Sequence, residues 1–142
     1  MQKIRIKGKE VCVSKLKLLE VELKGLPPTV NQMYRNAGVH VRYKTRKAKD
    51  FQKYAVAAMQ AAHLVSLTSH ARCVMEVKFF DASNRKWDLD NRLKALQDCL
   101  QMAGIIEDDS QIDFITVERE IVSGVSRTSV TVYSLLQLPD HV

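Results

Sequence analysis

The chain has 142 residues, of which 46% are hydrophobic and 27% are charged, as expected for one folded domain with a single apolar core. This composition argues against a disordered chain, and no apolar stretch approaches the roughly 20 residues that a membrane helix needs. Because the first residues also lack the apolar stretch of a secretory signal, we expect a cytoplasmic protein with no membrane partner.

The formal net charge of +6 is distributed unevenly along the chain. Residues 1–50 carry a net charge of +9, whereas residues 51–142 carry a net charge of −3. A polyanion bound by the first part and a cation held by the second part would account for both excesses. The alternative is that the many lysines only keep the surface soluble.

The cysteines and histidines argue against zinc. Cys12, Cys73 and Cys99 are odd in number and widely spaced, which predicts reduced, mostly buried thiols rather than a disulfide framework or a zinc knuckle. The four histidines fit no HExxH or paired-ligand spacing. Any metal ion is therefore expected to be held by oxygen ligands.

The amino-terminal part is predicted to contain one strand and a long loop. Residues 1–16 alternate lysine with isolated aliphatic residues, and we expect a basic extension, either loosely attached or a peripheral hairpin, ahead of a domain over 17–142. Apolar and acidic residues alternate over 18–23, which predicts a half-buried strand. Gly25 and the two prolines that follow it end this strand.

The predicted loop over 27–47, PPTVNQMYRNAGVHVRYKTRK, mixes amides and tyrosines with basic residues. Such a segment can donate hydrogen bonds to phosphates and stack on exposed bases. The candidate nucleic-acid-binding cations in this loop are Arg42, Lys44, Arg46 and Lys47.

The rest of the chain is predicted to alternate helices and strands. Three-four spacing of apolar residues predicts helices over 48–63 and 91–103, and Gly104 suits the left-handed position after the second helix. Strands are predicted over 73–80, 114–121 and 128–136, the last two as an antiparallel hairpin. The order β-α-β-α-β-β predicts an α/β protein of the α+β type, with helices packed on a mixed sheet.

Asp88 and Asp90 are the first candidate catalytic residues. We expect an extended segment here, so that both aspartates project from one face while Leu89 points toward the core. Two neighbouring carboxylates repel each other unless a cation lies between them. Mg²⁺ prefers oxygen ligands and needs only one or two carboxylates together with waters and substrate phosphates. The pattern therefore predicts a Mg²⁺ site, at which Mn²⁺ is expected to substitute.

Each of these residues also has a purely structural interpretation. Asp90 or Asn91 can cap the predicted helix, and Asp88 can be a solvated loop residue. Lys94 lies in the first helical turn, where the positive end of the helix dipole disfavours a cation. A surface pair with Asp90 or an incoming phosphate would compensate this charge, and the sequence does not separate the two.

A turn rich in acids, IIEDDSQID, follows the second predicted helix. Such a turn is usually only solvated. A helix over 91–103 is about 20 Å long, and the residues from Gly104 to Asp109, if extended, reach back roughly 17 Å. Asp109 can therefore approach Asp88 and Asp90, although the segment must be almost fully extended to do so. The alternative is that the partner chain of a dimer supplies this carboxylate.

Three segments, PPTVNQMY, DLDNRLKALQDCL and AGIIEDDSQI, occur in that order. In this order and spacing they resemble the RusA-type Holliday junction resolvases over residues 26–117. The combination of DxDN, a lysine four residues after its second aspartate, and a glycine followed by DD is fairly specific, although each part alone is weak.

The resemblance implies a homodimer of mixed α/β fold that cuts four-way DNA junctions in DNA recombination and repair with Mg²⁺ as cofactor. It implies Mg²⁺ ligands at Asp88, Asp90 and Asp109, with Lys94 near the scissile phosphate. The DNA contacts that it implies are Thr29, Asn31, Gln32 and the segment 84–91, including Asn84, Arg85, Lys86 and Asn91.

Two features depart from the family pattern. The stretch before Asp88 is NRKW, which is less basic than expected and contains the bulky Trp87, and the amino-terminal extension has no recognised counterpart. Two other functions remain open at this point. One is a DNA-binding module without catalysis, which would bind equally well in EDTA, and the other is a metal-diphosphate site of a nucleotide-sugar transferase, for which 142 residues leave little room.

Overall fold

The computed structural model describes residues 2–36, 38, 42–67 and 71–137, and the backbone alone for 2–4, 6, 11–15, 136 and 137. Residues 37 and 39–41 of the predicted nucleic-acid-binding loop lie outside the described residues, as does the side chain of Cys12. No helix in the described ranges is long and apolar enough to span a membrane.

Within the described residues, seven strands form two sheets. The strands are β1 (Gln2–Ile6), β2 (Lys9–Lys24), β3 (Tyr34–Asn36), β4 (Arg42–Lys44), β5 (Arg72–Asp81), β6 (Ile112–Ile121) and β7 (Arg127–Gln137). Five of them lie side by side in the order β1-β2-β7-β5-β6, with β5 and β6 parallel and the other pairs antiparallel. β3 and β4 form a separate antiparallel hairpin.

In the part of the chain that the structure describes, three α-helices connect these strands: α1 (Val30–Met33), α2 (Arg46–Ala62) and α3 (Leu93–Met102). α2 begins at Arg46, earlier than predicted, because the side chain of Thr45 accepts a hydrogen bond from the Ala48 amide at 3.2 Å and so caps the helix. α3 ends before Gly104, whose φ of +77° is the predicted left-handed conformation.

The core lies between the sheet and the two longer helices. Apolar side chains of α2 and α3 form one cluster with those of β2, β5 and β7, in which Leu19, Met59, Phe79, Leu96 and Val132 are fully buried. Each buried side chain of this size stabilises the fold by about 1.5–3 kcal/mol. The predicted apolar stripes of both helices are confirmed by this packing, except at Tyr54 of the first stripe, which is 40% exposed.

The α+β class, the single domain and the mixed sheet are confirmed. The peripheral hairpin that was one alternative for the extension is confirmed, because β1 pairs antiparallel with the first part of β2 at the edge of the sheet. The structure also contains elements that the sequence did not predict. β2 continues without interruption from this hairpin to Lys24. The predicted loop contains α1 and the β3–β4 hairpin.

The predicted hairpin of the last two strands is wrong. β5 lies between β6 and β7, because β6 pairs with β5 in parallel and β7 pairs with β5 and β2. Strands are about 4.8 Å apart, so this connection must span about 10 Å. The residues between Ile121 and Arg127 can span that distance when extended. The alternation of apolar and polar residues predicts that a segment forms a strand, but it does not predict which strand lies beside it.

Two of the three cysteines are described. Cys73 and Cys99 are free and buried, and burial raises the pKa of both thiols to about 12. The prediction of reduced, buried thiols is confirmed for these two residues. They belong to the core and are not placed to react.

Candidate active site and nucleic-acid interface

The DLDN segment forms a tight turn that leads into α3. Leu89–Arg92 is a 3₁₀ helix with Asp88 as its extended N-cap, and the amide of Asn91 donates to the carbonyl of Asp88 at 3.1 Å. The predicted extended segment is therefore wrong, and α3 begins at Leu93 rather than at residue 91. Leu89 is 39% exposed instead of pointing to the core. Asp88 and Asp90 lie on the surface of this turn, and both side chains are exposed.

Lys94 connects α3 to the acidic turn that follows it. Its Nζ lies 3.0 Å from Oδ1 of Asp98 and 3.6 Å from Oδ2 of Asp109. The hydrogen bond to Asp98, together with the charges of Asp98 and Asp109, raises the pKa of Lys94 above its ordinary value. These two carboxylates provide the negative charge that the sequence led us to expect near Lys94, in place of the surface pair with Asp90. Asp109 of the same chain thus reaches the first turn of α3.

A capped 3₁₀ turn, Asp109–Gln111, holds Asp109 in place. Asp108 accepts a hydrogen bond from the Ser110 amide at 3.0 Å, which lowers the pKa of Asp108. Gln111 is only 3% exposed, and its side chain accepts from the Glu107 and Asp108 amides and donates to the carbonyl of Ala71 at 3.0 Å. The spacing D-x-x-Q of this capping box is a sequence signal that our prediction missed.

The segment that begins α1 packs against the DLDN turn. The Val30 amide lies 3.4 Å from the side-chain Oδ1 of Asn91, and the guanidinium of Arg92 donates to the carbonyl of Pro27. Thr29 caps α1 in a capping box with Gln32, whose Oε1 accepts from the Thr29 amide at 3.1 Å. The fold therefore brings the predicted residues Thr29 and Gln32 next to Asn91, although they lie about sixty positions apart.

A basic recess lies beside α1. It has a volume of about 530 Å³ and is lined by amide, tyrosine and cationic side chains without an acid among them. The lining residues are Asn31, Gln32, Tyr34, Arg35, Tyr43, Thr45, Arg46 and Lys47. Four of the predicted DNA-binding residues are among these, and an exposed Tyr43, at 48%, offers a ring for stacking.

The other two predicted cations of this loop have intramolecular partners. The guanidinium of Arg42 lies over the ring of Tyr34, 4.6 Å from its centroid, while the side chain itself remains exposed. Lys44 is half-buried and donates to the side chain of Gln52 on α2. Arg42 can therefore reach a phosphate more readily than Lys44 can.

The connection between β5 and the DLDN turn carries Asn84, Arg85 and Lys86, all of which are exposed. A network of buried hydrogen bonds around Asp81, which the sequence did not predict, holds this connection. Asp81 is only 1% exposed, and its Oδ2 accepts from Trp87 Nε1 at 2.8 Å and from Arg119 Nη2 at 2.7 Å. Trp87, the unexplained residue of the sequence, thus has a buried polar partner.

No group of three or more carboxylate, imidazole or thiol side chains in the described part of the chain is arranged to hold a metal ion. The donor chemistry nevertheless fits Mg²⁺. Asp88 and Asp90 are exposed carboxylates on one short turn, and Mg²⁺ needs only one or two carboxylates when waters and phosphate oxygens complete its shell. The third candidate, Asp109, is paired with Lys94 in this structure.

Comparison with known proteins identifies the family. The sequence pattern of the endodeoxyribonuclease RusA family matches residues 25–133, which is more than half of the chain. The chain belongs to the RusA family. It is also 32% identical over 111 residues to a crossover junction endodeoxyribonuclease of Enterobacteria phage HK97, and the alignment covers 77% of this chain and 89% of that protein.

The RusA match contains both the acidic turn and the recess, since it runs from Gly25 to Tyr133. It confirms the resemblance that the sequence motifs predicted, and with it the class of enzyme, a nuclease that hydrolyses DNA phosphodiester bonds. A nucleotide-sugar transferase does not agree with this family. β1 and all of β2 lie outside the match, which begins at Gly25.

Proposed function

We propose that this protein is a Mg²⁺-dependent, structure-selective endodeoxyribonuclease that resolves four-way DNA junctions by paired cleavage during DNA recombination and repair. The observation that carries this proposal is the contact of Lys94 with Asp109, which joins the acidic turn to the helix that follows Asp88 and Asp90. In a chain of the RusA family, this contact supports a shared site for Asp109, Lys94 and the two aspartates that precede α3.

Asp88 and Asp90 would hold the metal ion from one side, and Asp109 would be the third ligand. When bound, Mg²⁺ supplies Lewis-acid chemistry at the scissile phosphodiester. Mn²⁺ prefers the same oxygen ligands and would substitute. Because Asp109 is paired with Lys94 in the described structure, we expect Lys94 to move toward the substrate phosphate as Asp109 turns toward Asp88 and Asp90.

Lys94 has the chemistry for charge neutralisation. Its ammonium is a positive group next to Asp109 of the acidic turn, and Asp98 and Asp109 raise its pKa, so that it stays protonated at neutral pH. A positive group near the scissile phosphate stabilises the negative charge that grows on the phosphate oxygens in the transition state. The same charge would orient the phosphate before cleavage.

The basic recess would hold the DNA arm that leads to the cut. Arg35, Arg46 and Lys47 can neutralise phosphates, and the ring of Tyr43 can stack on a base that is unpaired at the branch point. Asn84, Arg85 and Lys86 are exposed beside the DLDN turn, where they would meet the backbone near the cut.

We propose further that the active form is a homodimer. A four-way junction presents two strands of like polarity related by a two-fold axis, and a two-fold symmetric dimer would offer one site to each of them. Paired cleavage needs two such sites in one complex. The predicted location in the cytoplasm stays a prediction.

The test uses a labelled four-way junction and a linear duplex of the same sequence, each incubated with Mg²⁺ or with EDTA. We expect symmetric nicks in the junction with Mg²⁺, little cleavage of the duplex, and retained junction binding in EDTA. Binding of the junction without cleavage in Mg²⁺ or Mn²⁺ would favour a DNA-binding module instead. Sedimentation of the protein with and without the junction measures the dimer.

A further inference from the structure

We propose that Arg119 is a positioning residue that, through Asp81 and Trp87, fixes the connection leading into Asp88. This inference rests on the proposed function, because it assigns a role in cleavage to residues that have no direct place in the chemistry. None of these three residues was a candidate from the sequence.

Arg119 lies on β6 and binds Asp81, at the end of β5, together with two carbonyls of the connection that follows. Its Nη2 donates to the carboxylate of Asp81 at 2.7 Å, to the carbonyl of Ser83 at 3.1 Å and to the carbonyl of Arg85 at 2.7 Å. Its Nε adds a bond of 3.1 Å to Asp81. The two carbonyls belong to the connection, so this one side chain ties the connection to the edge strand of the sheet.

Trp87 completes the network immediately before Asp88. Its ring packs edge-on against Phe79, with the centroids 5.3 Å apart. The guanidinium of Arg92 lies 4.6 Å from the Trp87 ring centroid and that of Arg119 lies 4.7 Å from it. A cation over an aromatic face is attracted by the negative charge of the ring's π system. The indole is thus held by both its N–H group and its ring.

The carboxylate at the centre stays ionised. Burial by itself raises the pKa of Asp81, but the hydrogen bonds from Trp87, the Ser83 amide and Arg119 outweigh burial and lower this pKa. A buried charge is tolerated only when it is paired and hydrogen-bonded, as it is here. The network is therefore a unit, in which loss of Arg119 leaves the buried charge of Asp81 short of its cation.

This network fixes the connection over 82–88, which would face the substrate in the proposed function. With the Ser83 and Arg85 carbonyls bound to Arg119, the side chains of Asn84, Arg85 and Lys86 remain on the surface. With the indole fixed, the chain enters Asp88 and the 3₁₀ turn in one conformation. Supporting contacts of this kind commonly change metal affinity or activity by about 10- to 100-fold when they are removed.

The matched control is Arg127. It also pairs with a carboxylate, at 2.7 Å from Glu22, and its guanidinium also lies over an aromatic ring, 3.9 Å from the centroid of Phe80. It lies at the start of β7 and has no described contact with the connection over 82–88. Arg119→Gln and Arg127→Gln therefore each remove a guanidinium that pairs with a carboxylate and lies over an aromatic ring. Only Arg119→Gln also removes hydrogen bonds to the connection.

The first measurement is independent of catalysis. Trp87 is the single tryptophan of the chain, so its fluorescence reports on this network alone. In the protein without DNA or metal ion, we expect Arg119→Gln to shift the emission to longer wavelength and to increase quenching by acrylamide. Arg127→Gln should leave both unchanged. An unchanged spectrum in Arg119→Gln would overturn the proposal.

The second measurement is the single-turnover rate of junction cleavage at saturating protein and Mg²⁺. We expect Arg119→Gln to lower this rate about 10- to 100-fold, and Arg127→Gln to leave it close to that of the unaltered protein. Arg119→Lys keeps a positive charge opposite Asp81 but lacks the planar fork that binds several acceptors, so it should restore thermal stability more than rate. Full recovery of the rate in Arg119→Lys would contradict a positioning role.

The two measurements separate the two proposals. If the unaltered protein cuts no junction, the proposed function fails, and the fluorescence comparison alone still decides whether Arg119 fixes the connection. If Arg119→Gln does not fold, Asp81→Asn takes its place, because it keeps the size of the side chain and the tryptophan but removes the charge. The same emission shift and rate loss are expected from Asp81→Asn, and their absence would overturn the proposal.

Discussion

The ammonium of Lys94 lies 3.6 Å from Oδ2 of Asp109, across the connection that follows α3. Lys94 is in the first turn of this helix, and Asp109 begins the 3₁₀ turn that leads into β6. The chain that follows α3 therefore runs back along the helix and brings Asp109 to its first turn. The proposed function requires Lys94, which pairs with both Asp98 and Asp109, to exchange one of these partners for a phosphate.

We predict that Lys94→Ala lowers the single-turnover rate of junction cleavage by about 10²-fold or more, because the transition state loses a positive group. Lys78→Ala is the control. Lys78 also bridges two carboxylates, at 3.9 Å from Glu118 and 3.4 Å from Glu120. It lies on β5 and pairs with these residues of β6, so it is not among the candidate site residues. An unchanged rate in Lys94→Ala would return Lys94 to a role as a surface ion-pair residue.

For Asp90→Asn we expect loss of cleavage with junction affinity preserved or increased. The substitution removes a metal ligand and, at the same time, one negative charge near the DNA backbone. Gel-shift titration in EDTA gives the affinity, and a cleavage assay with Mg²⁺ gives the activity. Glu118→Gln removes an exposed carboxylate from β6 as a charge control. Intact cleavage with lost binding would contradict the assignment of Asp90.

Lys47→Ala tests the basic recess. If Lys47 contacts a phosphate, the substitution should weaken binding about equally for junctions of different sequence and reduce the slope of log K against log salt concentration by about 1. The measurement is a set of binding titrations between low and physiological salt in EDTA. A slope equal to that of the unaltered protein would place the DNA elsewhere.

The Arg72–Asp113 pair predicts a pH dependence of stability. The hydrogen bonds from Arg72 lower the pKa of Asp113 below its ordinary value. A carboxylate with a lowered pKa in the folded state stabilises the protein above its unfolded pKa of about 3.9, and this contribution is lost as the pH falls through the lower folded pKa. We therefore expect Asp113→Asn to unfold at a lower temperature than the unaltered protein at pH 7, with a difference that shrinks below about pH 4. A difference that stays constant from pH 7 to pH 3 would refute this origin of the stability.

Much of the secondary structure was predictable because it depends on local periodicity. The apolar stripe of α3 and the glycine that ends it are both visible in the sequence, and the structure has both. The pairing of β6 was not predictable in the same way. A strand of alternating residues fits several neighbours, and its position beside β5 depends on how α3 crosses back over the sheet.

The local conformation at Asp88 also required the structure. Alternation of apolar and polar residues suggested an extended chain, but the amide of Asn91 closes a 3₁₀ turn onto the carbonyl of Asp88. The packing of Arg92 against Trp87 and the carbonyl of Pro27 accompanies this turn. The contact between Arg92 and Pro27, which are distant in the chain, leaves no periodic signal in the sequence.

By itself the sequence determined the family and the chemical class, because both depend on residue types at short, ordered spacings such as DLDN and the acidic turn after Gly104. Only the tertiary structure decided which side chains meet. Asp109 with Lys94, Val30 with Asn91, and Asp81 with Trp87 and Arg119 are contacts between separate segments. The physical reason is that a buried or paired charge is set by its surroundings in space, and these surroundings come from strands and helices that are remote in the chain.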